Sequence, residues 1–439
     1  MKTQKNMDCD ILVIGAGLAG MTAAARASDL GLKTIQIGNS SVLIFASGLF
    51  DLLGVYPIDS GRTLTNPYPA IKKLQNDHPC HPYSKVSETQ INEGFQFVMD
   101  FLNSAALKYH LPDSMNKNQT NNNRVNKKIL TSVGTLKPTY MVPETFSKGC
   151  DIHKEQKNLL IVDFKGLKGF SAKQAAAGLG MKKGEVYTLS IDSPEGTGDL
   201  NPVPLAKLFE SKAFIQKFSD KILSFSDKVD MVGMPAVCGI HNSLEIVKEL
   251  ETKFGVDVFE IPGMPPSIPG LRLKNAFEKS LSKSNVTFLS NSKVVFDAMD
   301  QDHFILTAMN DNFETRIRAQ CVILASGRFP GGGLFAKRKI ILETIFNLPV
   351  FQPKTRHQWH QLNFFDPKGH MINQAGLETD DTFRPLDKTG SPVFENLYAA
   401  GSILAHNDWV RLKSGAGVSL ISAYTAVNSF YKKTILNEK

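Results

Sequence analysis

No CxxC pair occurs in this chain. Its five cysteines, Cys9, Cys80, Cys150, Cys238 and Cys321, lie far apart, so neither an iron–sulfur cluster nor a zinc site is encoded locally. Reduced thiols and a cytoplasmic setting are expected. Nowhere do about eighteen apolar residues run uninterrupted, which argues against a membrane-spanning helix. No internal repeat is visible. Nor does one charge dominate: 50 Lys and Arg against 42 Asp and Glu give a net +8, and the cations are scattered rather than striped. That favours solvated surface over nucleic acid, and suits an anionic substrate or loose docking on an anionic membrane face. Lys2 and Lys5 before an apolar stretch imitate a signal peptide, but Asp8 and Asp10 precede the stretch and glycines occupy its middle, so none is expected. With 439 residues, 42% hydrophobic and 21% charged, the chain is an ordinary globular protein with room for two or three domains.

What is present begins at Asp10-Ile-Leu-Val-Ile-Gly-Ala-Gly-Leu-Ala-Gly20. A short apolar run ends in three glycines at the spacing of the dinucleotide-binding turn. Gly15 permits a sharp exit from a buried strand, Gly17 permits close approach of backbone to phosphate, and Gly20 lets the next helix pack on the strand. A phosphate there meets the unpaired N–H groups of the helix. The motif alone is weak. Its context strengthens it: Ile11, Leu12, Val13 and Ile14 read as a strand buried on both faces, residues 18–30 as a helix and 33–37 as a second strand.

Beyond this unit, residues 40–55 are small and apolar and hold Ala46-Ser47-Gly48, and a proline-rich loop follows. Residues 88–109 form an amphipathic helix, with Ile91, Phe95, Val98, Leu102 and Ala105 on one face. Residues 116–128, rich in asparagine and lysine, read as an exposed loop. From Leu159 strands and helices alternate: 160–164, 171–181, 186–191, 205–225, 229–232, 243–254 and 256–261. That is the pattern of a second parallel α/β unit inserted into the first. Four prolines within residues 262–270 mark its exit, and a helix follows over about 271–281. Short alternating strands near 293–296, 304–308 and 313–318 suggest a meander, and 321–325 a further buried strand. The expected organisation is therefore an N-terminal part of a Rossmann-like binding domain (1–150), an inserted parallel α/β domain (151–265), and a C-terminal part (266–439).

Two later turns resemble those of two-dinucleotide-fold flavoproteins. Cys321-Val-Ile-Leu-Ala-Ser-Gly327 resembles the strand that returns the chain to the nucleotide domain. Glu395-Asn-Leu-Tyr-Ala-Ala-Gly401-Ser402, followed by Ser414-Gly-Ala-Gly417 and a helix, resembles the strand and helix start that lie beside the flavin. Together with the first turn they favour flavin over nicotinamide. The candidate cofactor residues are Gly15, Gly17, Gly20, Asn39, Ser47, Gly48, Ser326, Gly327, Gly401, Ser402, Gly415 and Gly417. One feature of FAD proteins is missing: the second strand ends Ile35-Gln-Ile-Gly-Asn39, with no carboxylate for the adenosine ribose. A hydrogen bond to such a group is worth roughly 1.5–3 kcal/mol, a factor of about ten to a hundred in affinity. FMN has no adenosine ribose and loses nothing.

Nearly end to end, the chain resembles the B-subunit family of the anaerobic glycerol-3-phosphate dehydrogenases. The resemblance is carried by Gly15-Ala-Gly-Leu-Ala-Gly20, Ser47-Gly-Leu-Phe-Asp-Leu-Leu53, His78-Pro, His81-Pro-Tyr-Ser84, Leu130 with Gly134-Thr-Leu136, Gly233-Met-Pro-Ala236, Pro265-Pro-Ser-Ile-Pro-Gly-Leu-Arg-Leu273, Leu324-Ala-Ser-Gly327 with Gly331-Gly-Gly-Leu334, and Thr379-Asp-Asp-Thr-Phe-Arg-Pro385. It implies FMN in this chain and two partners, an FAD-bearing catalytic A subunit, and an iron–sulfur C subunit that anchors the complex at the membrane. It also implies oxidation of sn-glycerol 3-phosphate to dihydroxyacetone phosphate, with electrons passing to quinone and then fumarate or nitrate, at the inner face of the cell membrane. The alternatives are a free-standing FAD oxidoreductase of the fumarate-reductase flavoprotein type and a flavin-free scaffold. Residues 405–413 are polar and charged where a glycine-rich loop is expected beside the flavin.

Arg384 is the candidate catalytic cation: guanidinium grips phosphate oxygens, and positive charge favours a reduced flavin. The bland reading pairs it with Asp380 or Asp381. Arg328, Lys337 and Arg338 flank Gly331-Gly-Gly333 as candidate liners of an anion site, or simply as a solvated loop. His78 and His81 have the chemistry of an acid or base near neutrality, against packing or surface placement. No metal site is expected.

Overall fold

The computed structural model describes residues 3–111, 124–180, 184–193 and 198–437. The chain divides into two compact units, one of Met1–Val42, Asp51–Phe101 and Phe277–Lys439, the other of Leu43–Phe50 and Leu102–Ala276.

Strands β1 (Thr3–Ile14) and β2 (Thr34–Gly38), with helix α1 (Leu18–Asp29) between them, open the first unit. The second unit supplies β3 (Leu159–Phe164), β4 (Val186–Ile191), β5 (Met231–Pro235) and β6 (Asp257–Ile261). The chain then re-enters the first unit as β7 (Val286–Ser290), β8 (Lys293–Asp300), β9 (His303–Met309), β10 (Phe313–Leu324), β11 (Leu397–Ala399) and the long helix α2 (Gly415–Asn437).

Among the described residues the first unit carries a seven-stranded sheet in the order β7-β2-β1-β10-β9-β8, with β11 also on β10. Pairing is parallel from β7 to β10 and onto β11, and antiparallel from β10 to β8. This is the Rossmann-like flavoprotein architecture with a meander attached. Ile11, Leu12 and Val13 are fully buried, as a strand covered on both faces requires. Two strand boundaries differ from expectation. β1 starts at Thr3, well before the apolar run, because its polar half pairs in register from Thr3–Phe313 to Cys9–Ala319. For the same reason the strands expected at 313–318 and 321–325 are one continuous strand, β10.

The second unit is built on a four-stranded parallel sheet, ordered β6-β5-β3-β4. It is wider than the expected insertion at 151–265. Phe50 exchanges backbone hydrogen bonds with Met141, Tyr109 Oη donates to Gly48 O at 2.7 Å, and Leu49, Ile129, Val142, Phe146 and Ala236 share one core cluster. Those contacts draw residues 43–50 and 102–150 into this unit. The helix expected over 205–225 is two, Pro202–Leu208 and Lys212–Ile222, with Phe209 buried between them. The helix after the proline-rich segment begins inside it, at Ile268. Of the polar stretch at 116–128, residues 116–123 lie outside the described residues, while Lys127–Leu130 is a strand paired with Leu136–Thr139. No helix among the described residues is long and apolar enough to cross a membrane.

Candidate functional site

Three glycine-bearing turns of the first unit meet at the C-terminal edge of its sheet, where ligands of open α/β sheets bind. The evidence is steric. A Cβ added to Gly15 would lie 2.1 Å from Ala325 O, and one on Gly20 would lie 2.1 Å from Gly15 O. A Cβ on Gly401 would lie 2.6 Å from Ala19 Cβ, and one on Gly327 would lie 3.4 Å from Ser402 Oγ. Residues 15–20, 325–327 and 401–402 are therefore neighbours, as the sequence expects.

Gly17 differs from its two companions. Its backbone is ordinary extended chain (φ −76°, ψ −173°), and an added Cβ would meet only Val42 Cγ1, at 3.9 Å. It is the N-cap of α1 and has no side chain to cap the first-turn N–H groups, and no acidic residue stands in that turn. The helix end thus presents unspent donors and partial positive charge to whatever lies in front of it. Ser326 Oγ is buried with no hydrogen-bond partner among the described residues, and buried hydroxyls are seldom left so. Uncapped donors, an open approach at Gly17 and an orphaned hydroxyl together fit a phosphate-bearing flavin nucleotide.

Asn39 follows the end of β2, and its Oδ1 accepts from Ser41 N at 2.9 Å. No carboxylate stands in this segment, but one is brought there from afar: Ser40 Oγ donates to Glu278 Oε1. No local pattern reveals that contact, since the two residues are 238 positions apart.

Gly415 and Gly417 open α2. Ala416 N donates to Asp51 Oδ1 and Gly417 N to Asp51 O, each at 2.8 Å, and a Cβ on Gly417 would lie 2.3 Å from Tyr83 Oη. These amides are spent on Asp51, so this helix start is capped by protein, unlike that of α1, and Gly417 serves close packing. Ser422, unmarked in the sequence, accepts from Gly401 N at 2.9 Å and holds that turn to α2. Ser47 and Gly48 belong to the second unit, where Ser47 Oγ accepts from Leu49 N.

The candidate cations need correction. Arg384 donates from Nε to Asp380 Oδ2 at 2.8 Å and from Nη1 to Glu395 Oε2 at 2.7 Å. Two carboxylates pair with its guanidinium, which is the paired alternative that the sequence offered. Arg328 is buried, donating to the carbonyls of Asn373, Leu404 and Asn407. Burial pushes its guanidinium down to about 10. It braces the segments at 373 and 404–407, its buried Nε has no hydrogen-bond partner among the described residues, and Lys337 and Arg338 are exposed on a hairpin turn. His81 is fully buried, and its Nδ1 accepts from Tyr83 N at 3.0 Å, so the proton sits on Nε2. Burial pushes this imidazole down to about 3, a packed residue rather than a base. His78 is exposed. Within the polar stretch 405–413, His406 adopts a left-handed conformation (φ 62°), and its Nε2 lies 2.7 Å from Glu378 Oε1.

The second unit holds a buried polar group that the proline motif concealed. Arg272 pairs with both oxygens of Glu260, at 2.6 and 2.8 Å, and donates to Gly239 O. Glu260 also accepts from Thr145 Oγ1 and Cys238 N.

Comparison with known proteins agrees with this geometry. The family described as FAD binding domain matches residues 10–418. A curated relative from Vibrio vulnificus, named as the B subunit of anaerobic glycerol-3-phosphate dehydrogenase, is 29% identical over 436 residues, covering 96% of each chain. One from Halobacterium salinarum, named as the probable B subunit of the same dehydrogenase, is 30% identical, covering 96% of this chain and 97% of its own. Among solved structures, the 3-ketosteroid delta1-dehydrogenase from Sterolibacterium denitrificans aligns over 97% of this chain and 100% of its own, at 12% identity and a TM-score of 0.43. That likeness is too slight to bear on chemistry.

Proposed function

We propose, from the premise that this chain belongs to the FAD-binding domain family and to the B-subunit family of the anaerobic glycerol-3-phosphate dehydrogenases, that it is the FMN-bearing member of a complex oxidising sn-glycerol 3-phosphate. The observation that carries the flavin reading is the uncapped start of α1 at Gly17, set beside the unpartnered Ser326 Oγ and the turn at Gly401. First-turn amides of α1 hold the phosphate. Gly327 lets backbone approach the rest of the nucleotide, beside the turn of Gly401 and Ser402. A bound flavin supplies acceptance of two electrons and their onward transfer.

FMN rests on the strand end at residues 35–39, which carries no carboxylate of its own. FAD is the second reading, favoured by Glu278, which reaches Ser40 beside that strand end, and by the family match over residues 10–418. The proposed partners are a catalytic protein bearing FAD, and an iron–sulfur protein that anchors the assembly at the membrane, with quinone as acceptor.

Anaerobic addition of sn-glycerol 3-phosphate to the assembled complex tests this function. The flavin of this chain is expected to bleach within turnover and to recover on addition of a quinone. A flavin that stays oxidised while substrate is consumed contradicts the reading.

A further inference from the structure

The first unit displays an apolar cluster that the flavin site does not use. Leu362, Phe364 and Phe365 are 102%, 78% and 88% exposed, and the two phenylalanine rings lie edge to face with centroids 4.9 Å apart. Single exposed hydrophobics need no explanation, but three large ones on one loop tip mark a contact surface. The tip is held in place. His370 accepts from Gln361 N through Nδ1, and its Nε2 lies 2.9 Å from Phe364 O, while Ile372 N donates to the carbonyl of Trp359, whose ring is buried. The loop is tethered by its polar groups and turns its apolar side chains outward.

Its surroundings are cationic. Lys337, Arg338 and Lys339 occupy the turn between strands Leu334–Ala336 and Ile341–Glu343, all exposed. Arg356 Nη1 donates to Arg338 O at 3.2 Å, tying this turn to the segment that leads into the loop. The acidic residues of the stretch are turned to internal work. Glu343 is buried and accepts from Ile345 N and Phe346 N, and Asp366 accepts from Lys368 N. Protruding aromatic and aliphatic groups rimmed by positive charge match an anionic bilayer surface, with rings at the headgroup boundary and lysines over the phosphates.

We infer that Leu362, Phe364 and Phe365, with the cationic turn at Lys337–Lys339, dock this chain directly on an anionic lipid surface. This goes beyond the function proposed above, in which partner proteins reach the membrane. It requires neither flavin nor substrate, so its failure leaves that function untouched.

The test is co-sedimentation of the purified full chain with phosphatidylcholine vesicles, with and without phosphatidylglycerol. The wild type is expected to pellet with the anionic vesicles and to be released by high salt. Phe364→Ser with Phe365→Ser should weaken binding about tenfold or more, and so should Lys337→Glu with Lys339→Glu. All four side chains are exposed, and an unchanged circular dichroism spectrum shows that the fold survives. Wild-type protein left in the supernatant with anionic vesicles overturns the inference and leaves the patch to a protein partner. Equal binding to neutral and anionic vesicles overturns it, as does binding indifferent to both double substitutions.

Discussion

Gly15, Gly17 and Gly20 are alike on paper but do different work. Side chains at Gly15 and Gly20 would strike backbone carbonyls at 2.1 Å, so those two are required by the fold itself. At Gly17 a Cβ has space, so absence of a side chain there serves something that is not part of the chain. His81 is a residue whose environment overrides its usual chemistry. Its ordinary value of 6.5 falls to about 3 through burial. Above the unfolded value both states are neutral and nothing is lost. As pH falls from 6.5 toward 3 the unfolded imidazole takes up a proton that the folded one refuses, so stability declines by up to about 1.4 kcal/mol per pH unit. Asn can keep the acceptor for Tyr83 N without titrating. Unfolding free energies from urea titrations at about pH 7 and about pH 5 should therefore differ less in His81→Asn than in the wild type, by up to about 2 kcal/mol. Identical pH dependence in the two proteins would contradict the assignment.

At the scale of elements, Arg272 ties the helix Ile268–Leu281 to Glu260 on β6 and to the carbonyl of Gly239 beyond β5. Both charged groups are buried, and removing one partner strands the other in a low-dielectric interior. Arg272→Met should lower unfolding free energy by about 3–5 kcal/mol, and a double variant with Glu260→Leu should recover part of it. A loss under about 1 kcal/mol in the single variant would show the pair to be solvated. Elements were legible wherever burial is continuous, as in Ile11–Ile14 or Leu159–Phe164. They were obscured where a partner strand supplies the reason for a fold. Thr3 to Cys9 carries Lys5 and Asp8 and shows no strand pattern of its own, yet pairs along β10. The break near Phe209 leaves little local signal, because the residue there is apolar and buried.

For the whole molecule, the order of the three glycine turns conveyed the architecture of the first unit, because each turn terminates a buried strand at the same edge of one sheet. The limits of the second unit were not legible, since Phe50 pairs with Met141 and Gly48 with Tyr109 across long sequence separations. Distant pairing also decided the site: Asp51 capping α2, Glu278 reaching Ser40, and two carboxylates claiming Arg384. The cationic and apolar surface at 337–365 went unread because exposure, not composition, distinguishes it. In the function we propose, one helix start, left bare by Gly17, grips the phosphate of a flavin. Cofactor released by denaturing equal amounts of wild-type and Gly17→Leu protein, weighed by mass spectrometry and counted per folded chain, tests this most directly. FMN from the wild type, with little or none from an equally stable Gly17→Leu protein, is the predicted result; a wild-type chain that releases no flavin, or a Gly17→Leu chain that keeps its full complement, would contradict it.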